Sequence, residues 1–151
     1  MGTFDYTQSE RQRDVTGGLY NPLVIPEVID DFTVSISAEV GEVITVTCAV
    51  VDSDGENIAK QHLIELQLFT DDTYATLISA LAGITYAATT GIKLPAAWTT
   101  TPNVDMKFLT DASGDLVFTI TDGSAGALTA ALGFFLPNGI FIAGGEFLFT
   151  A

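Results

Sequence analysis

Residues 110–142, TDASGDLVFTITDGSAGALTAALGFFLPNGIFI, decide the fold. Leu116, Phe118 and Ile120 alternate with Asp115, Thr119 and Thr121. A strand turns successive side chains to opposite faces, so this period of two places the apolar set on a buried face. Leu128, Ala130, Leu132, Phe134 and Leu136 repeat the pattern and predict a second strand. Asn138-Gly139 then stands between two apolar runs. That dipeptide predicts a hairpin turn of type I′, in which both central residues need positive φ. Three consecutive strands joined by tight turns predict an antiparallel β-sandwich.

Upstream, the same signals recur. From Phe32, Val34, Ile36 and Ala38 alternate with Thr33, Ser35 and Ser37. VITVTCAVV follows Gly41 and is rich in β-branched residues, which suit a pleated, half-buried surface. DSDGEN at 52–57 is a turn cluster. In the strand Leu63 to Phe69, Ile64, Leu66 and Leu68 point inward, with Glu65 and Gln67 outward. TYATLISALA at 73–82 fits a short helix or an apolar loop equally well. ITYAATTGIKL predicts one or two short strands about Gly91, PAAWTTTPN a loop, and Val104 to Leu109 a further strand. Gly144-Gly145 predicts a bulge ahead of a last strand, EFLFT. The expected core face is Ile36, Val46, Cys48, Val50, Ile64, Leu66, Leu68, Leu116, Phe118, Ile120, Leu132 and Phe134.

Residues 1–31 differ from the rest. They carry Gly17-Gly18, Pro22, Pro26 and both arginines, Arg11 and Arg13, with no strand or helix period. Each proline lacks an N–H and biases its predecessor toward extended backbone. The segment therefore predicts an extended N-terminal arm, 1–31, ahead of an immunoglobulin-like β-sandwich at 32–151. Yet the arm holds Leu19, Tyr20, Leu23, Val24, Ile25, Val28 and Ile29. So many large apolar side chains need burial, either back on their own domain or on a partner. The expectation is that these residues dock on another subunit.

Composition narrows the function. Apolar residues make up 48% of the chain, enough for a packed core. Nineteen acidic residues face five basic ones, for a net charge of −14. That field repels phosphate backbones and anionic membranes, so no direct nucleic acid binding and no membrane contact are expected. No signal-peptide pattern or membrane-length apolar run stands in the sequence. Met1-Gly2 lacks the Ser or Thr of a myristoylation signal, since Tyr6 occupies that place. Cys48 is the single cysteine, so no intrachain disulfide can form.

Catalytic constellations are weak. His62 is the single histidine, which argues against multi-histidine metal sites. Cys48 lies in an apolar strand and reads as an inert thiol, and His62 reads as a surface imidazole rather than its partner. Asp71-Asp72, Asp111 with Asp115, and Asp52 with Asp54 read as turn formers. Asp52 to Asn57 offers several oxygens for calcium, but Gly55 follows the second Asp directly and the ligand set is incomplete. No phosphate-cradling glycine loop appears. Neither catalytic residue nor metal ligand nor cofactor is expected. Trp98, in a Thr- and Pro-containing loop, has two readings: an exposed contact for carbohydrate or protein, or a cap on the sandwich core.

VTCAVVDSDGENIAKQHLIELQLFTDD at 46–72 resembles the strand–turn–strand opening of bacterial and phage immunoglobulin-like domains. TDASGDLVFTITDGSAGALTAALGFF at 110–135 resembles their later segment. The arrangement is similar to a group of small phage structural proteins, in matching positions at Asp52, Gly55, Ala59, Asp71, Asp72, Thr110, Asp111, Gly114, Leu136, Pro137, Asn138 and Gly139. These are turn and strand signatures, and no catalytic role comes with them. The resemblance implies a non-enzymatic virion protein on the capsid or head surface, made in the host cytoplasm. It would be a capsid decoration, cement or head-fibre protein. Its partners would be the major capsid protein or other virion subunits, and it would be a homo-oligomer, with a lean to a trimer. The alternative is a receptor- or glycan-binding module of a phage tail or surface adhesin, with Trp98 in the contact.

Overall fold

The computed structural model describes residues 28–79, 81–95, 103–124 and 126–151. Among these, nine strands follow one another: β1 (Asp31–Ile36), β2 (Val43–Val51), β3 (Leu63–Phe69), β4 (Ile84–Thr90), β5 (Ile92–Lys93), β6 (Asp105–Leu109), β7 (Asp115–Asp122), β8 (Leu128–Phe135) and β9 (Phe141–Phe149). They form a four-stranded sheet, ordered β1-β2-β7-β4, and a five-stranded sheet, ordered β9-β8-β3-β6-β5. Every pairing is antiparallel. The two sheets pack face to face as an all-β sandwich. The β1-β2-β7 and β9-β8-β3 orders are those of the immunoglobulin-like arrangement.

The inner faces follow from alternation. Leu116, Phe118 and Ile120 of β7 meet Ile64, Leu66 and Leu68 of β3 in one buried cluster. Phe108 stacks on Phe118 with centroids 4.6 Å apart, and Phe32 lies 5.1 Å from Phe134. Each pair joins one sheet to the other. All of the expected core face is buried except Ile36, which packs half-buried at the end of β1. Ala38, expected to continue that strand, is exposed beyond its end.

Segment 73–82, open between helix and loop, is a loop where it is described, with residue 80 outside the described set. The stretch about Gly91 forms two strands, one in each sheet. Gly91 has φ +83°, and a Cβ there would lie 2.5 Å from the Leu109 carbonyl oxygen. Only glycine fits this crossing.

Three turns share one form. Asp52, Asp111 and Leu136 each accept a hydrogen bond from the N–H of a glycine three residues on, at 3.0, 3.1 and 2.9 Å. Those glycines, Gly55, Gly114 and Gly139, all have positive φ. The last corrects the predicted type I′ turn at Asn138-Gly139: Asn138 is not among the positive-φ residues. Pro137 takes the first central position with its fixed negative φ, so the loop is a three-residue one ending on a left-handed glycine.

The glycine bulge is present, inside one continuous strand rather than ahead of a separate one. Leu132 pairs with Gly145 and Gly133 with Ala143, leaving Gly144 extra. Its effect is a change of parity. Ile142 faces inward before the bulge, and Phe147 and Phe149 face inward after it.

Candidate functional site

The sequence-predicted arm residues Leu19, Tyr20, Leu23, Val24 and Ile25 lie outside the described residues, as does Trp98. Val28 is 69% exposed, whereas Ile29 packs half-buried against the core. The Ile29 carbonyl accepts from Asn138 Nδ2 at 3.4 Å, and the Asp30 N–H donates to Val51 O at 3.1 Å. The arm thus meets the sandwich at the tip of the β8–β9 hairpin.

The titratable candidates are held in structural duties. Asp52 Oδ1 accepts from the N–H groups of Asp54 and Glu56 at 2.9 and 3.1 Å. Asp111 Oδ1 accepts from Ser113 and Asp115 at 2.8 and 3.0 Å. Asp71 Oδ1 accepts from Thr73 Oγ1 and from the Thr73 N–H, which hold its carboxyl below the usual range. Among the described residues no three His, Cys, Asp or Glu side chains gather as a metal-binding group. Cys48 is buried in β2, and desolvation pushes its thiol up, away from the nucleophilic thiolate.

His62 corrects the expectation of a surface imidazole, for it is buried. Its N–H donates to Thr110 Oγ1 at 2.8 Å, and its carbonyl accepts from the Thr110 N–H at 3.0 Å. Thr110 Oγ1 also donates to Lys60 O at 3.2 Å. These bonds tie the start of β3 to the end of β6 and draw His62 in. Cys48 lies in β2 of the four-stranded sheet, whereas His62 stands just ahead of β3 of the five-stranded one.

The outstanding feature is a groove on the outer face of the five-stranded sheet. It has a volume of about 600 Å³ and is walled by Phe69, Tyr74, Leu77, Phe135 and Phe141. Tyr74 lies 5.5 Å from Phe69 and 5.4 Å from Phe141, both edge-on, and Phe141 lies 5.1 Å from Phe135. Edge-on and tilted aromatic pairs are favourable beyond their buried area. Leu77 is 47% exposed and Phe141 36% exposed.

Local chemistry builds this groove. Gly133 of β8 leaves the floor open: a Cβ there would come within 2.6 Å of both Phe141 and Phe69. The loop after β3 folds back on itself, with Thr70 N–H donating to Thr76 O at 2.9 Å and Ile78 N–H to Leu68 O at 3.0 Å. Tyr74 sits at φ +56°, a costly backbone region for a bulky residue. Its hydroxyl accepts from the Gly145 N–H at 3.0 Å, and its N–H donates to Asp71 O at 3.2 Å. Asp72 N–H reaches Glu146 Oε2 at 3.2 Å. The loop is thereby pinned over β8 and β9 with its tyrosine in the wall.

Beside the groove, Lys107 Nζ and Glu65 Oε2 are 3.5 Å apart. Burial, and then a hydrogen bond with Asp105, raise the Glu65 carboxyl above its ordinary value, against the pull of Lys107. The groove wall itself is uncharged. It can take apolar side chains of an extended segment and offers Gln67 for a polar contact.

Sequence reasoning missed this groove. Its signals were the Phe134-Phe135 doublet, which gives β8 an aromatic on each face, and the strand glycine Gly133, which marks close approach by other groups. No protein-family model matches the chain, and a search of curated proteins finds no relative.

Proposed function

We propose that this chain is a non-enzymatic structural protein of a virion. It decorates or cements the capsid or head, or forms part of a head fibre, and attaches through its N-terminal arm. The observation that carries this reading is the state of the chain where the arm begins. Among the described residues, Ile29 is the first that packs against the shared core of the two sheets. Val28, next to it, is exposed. In this reading the apolar set Leu19, Tyr20, Leu23, Val24 and Ile25 is matched to a partner's surface.

The mechanism is burial across a seam. A fully buried large apolar side chain contributes about 1.5–3 kcal/mol, less the cost of ordering the segment. Pro22 and Pro26 restrict the free arm and lower that cost. Repetition over a symmetric shell adds avidity. The major capsid protein or another virion subunit is the partner, and the acidic sandwich faces solvent.

A second reading has one observation in its favour. The open aromatic groove with Tyr74 and Gln67 suits a sugar or receptor loop, as a tail or adhesin module would need. One experiment separates the two. The full chain and a Leu23→Asp, Ile25→Asp double variant are offered to particles that lack the protein. The first reading expects the full chain to co-sediment and the variant to stay in the supernatant, with both melting alike. Equal incorporation of the two would overturn it. Binding to host cells or glycans without particle association would favour the second.

A further inference from the structure

We propose that the groove between Tyr74 and Phe141 seats the apolar arm, Leu19 to Ile25, of a second copy of this chain. This rests on the reading of the arm as an attachment element and names its first partner.

Position is the first argument. Asn138 Nδ2 holds Ile29 O at the tip of the β8–β9 hairpin. Phe135 and Phe141, which wall the groove, are the residues that flank this hairpin. Arm root and groove mouth therefore lie at the same end of the molecule. Two copies related by a twofold axis at that end set each arm root beside the other's groove, a closed and self-complementary exchange. Val28 favours exchange over folding back: its side chain is exposed and not laid against its own sandwich. Residues 19–28, extended at roughly 3.3 Å each, reach roughly 33 Å, enough to cross to a neighbour.

Charge is the second argument. The molecule carries −14, so contact between two copies is repulsive over most of their surface. LYNPLVIP, 19–26, has no charged residue. The groove wall has none either. A neutral apolar strip thus matches a neutral apolar seat on an otherwise acidic body. Salt must strengthen the association, because screening weakens the repulsion and leaves the apolar contact untouched.

Sedimentation velocity on the full chain tests this. The wild type should self-associate with rising concentration, and more so at higher salt. Leu77→Glu puts a charge in the groove at an exposed position, and Ile25→Glu puts one in the arm. Each should weaken self-association about ten-fold or more while the melting temperature holds. Mixed together, the two variants should recover a heterodimer, since an intact arm then meets an intact groove. A monomeric wild type, or variants that associate as it does, would overturn the proposal. So would a monomeric wild type whose melting falls with Ile25→Glu, which would put the arm in its own groove. Particle incorporation of Leu77→Glu is scored separately. Incorporation retained alongside a wild type that fails to self-associate would sink the exchange and leave the virion reading standing.

Discussion

The two outward faces of the sandwich obey the same alternation and are built for different ends. On the four-stranded sheet the outward set is led by Thr33, Ser35, Thr45, Thr47, Thr85, Thr119 and Thr121, with Val43, Ala49, Ala87 and Val117 among them and no aromatic residue. Thr45 pairs with Thr119, and Thr85 with Thr121. Threonine keeps the β-branch that strands favour and hydrates its hydroxyl, so this face is finished as it stands. On the five-stranded sheet the outward set includes Phe69, Phe135, Phe141, Leu63, Ile92 and Leu148. Ile92 and Leu148 are about half exposed, at 51% and 50%. That face has apolar area to spare, and the loop at Tyr74 covers only part of it. A sheet's period thus says which residues face outward, and their chemistry says whether the outside is the end of the structure.

The contrast can be broken from its shared core outward. Phe118 stands inside the four-stranded sheet, stacked on Phe108 of the other. Phe118→Ala should cost about 3–5 kcal/mol in chemical denaturation, because a full ring leaves a cavity both sheets must share. A cost below about 1 kcal/mol would mean that the two sheets do not depend on one core.

Gly91 is the point where the chain passes from the threonine-faced sheet to the aromatic-faced one. Gly91→Ala should cost about 1–3 kcal/mol from backbone strain, with the clash against Leu109 O in addition. Unchanged stability would show that the crossing relaxes freely.

The faces themselves are compared by a matched pair. Phe141→Ala removes a ring that touches Phe69, Tyr74 and Phe135, and should cost about 1 kcal/mol. Thr47→Val on the opposite face should stay within about 0.5 kcal/mol of wild type. Equal costs would erase the distinction.

The smallest effect is in pH. The raised Glu65 carboxyl belongs to the aromatic-bearing face. A folded carboxyl that holds its proton more tightly than the unfolded one contributes stability at low pH, which is lost as pH rises through its raised value. The melting temperature should therefore rise modestly on acidification from neutrality toward the ordinary glutamate range. Glu65→Gln should reduce that rise. An identical profile in the variant would assign the effect to the net charge instead.

The fold was legible where a strand has one wet face. β7 and the inner half of β3 read directly from alternation, and the D-x-x-G turns read from Asp52 and Asp111. β8 was half legible. Ala131 and Gly133 are small residues at outward positions, and they are buried because a loop and Phe141, distant in the sequence, lie over them. His62 failed for the same reason: its burial is fixed by Thr110, across a strand pairing. The groove is a meeting of Phe69, Tyr74, Phe135 and Phe141, and no local window contains that meeting.

The extra residue at Gly144 has a further consequence, for the behaviour of many copies in solution. Among the described residues β9 is a nine-residue strand at the edge of its sheet. A flat edge of that length, bearing Leu148 and Phe141, is a template on which other chains stack into fibres. The bulge bends and overtwists it, so that a second β9 finds no continuous ladder to join. Deleting Gly144 would straighten that edge and also turn Phe147 and Phe149 out to water. The predicted product is fibrillar aggregate, visible by light scattering. On this prediction, one glycine is what separates an apolar-edged strand from open-ended polymerisation.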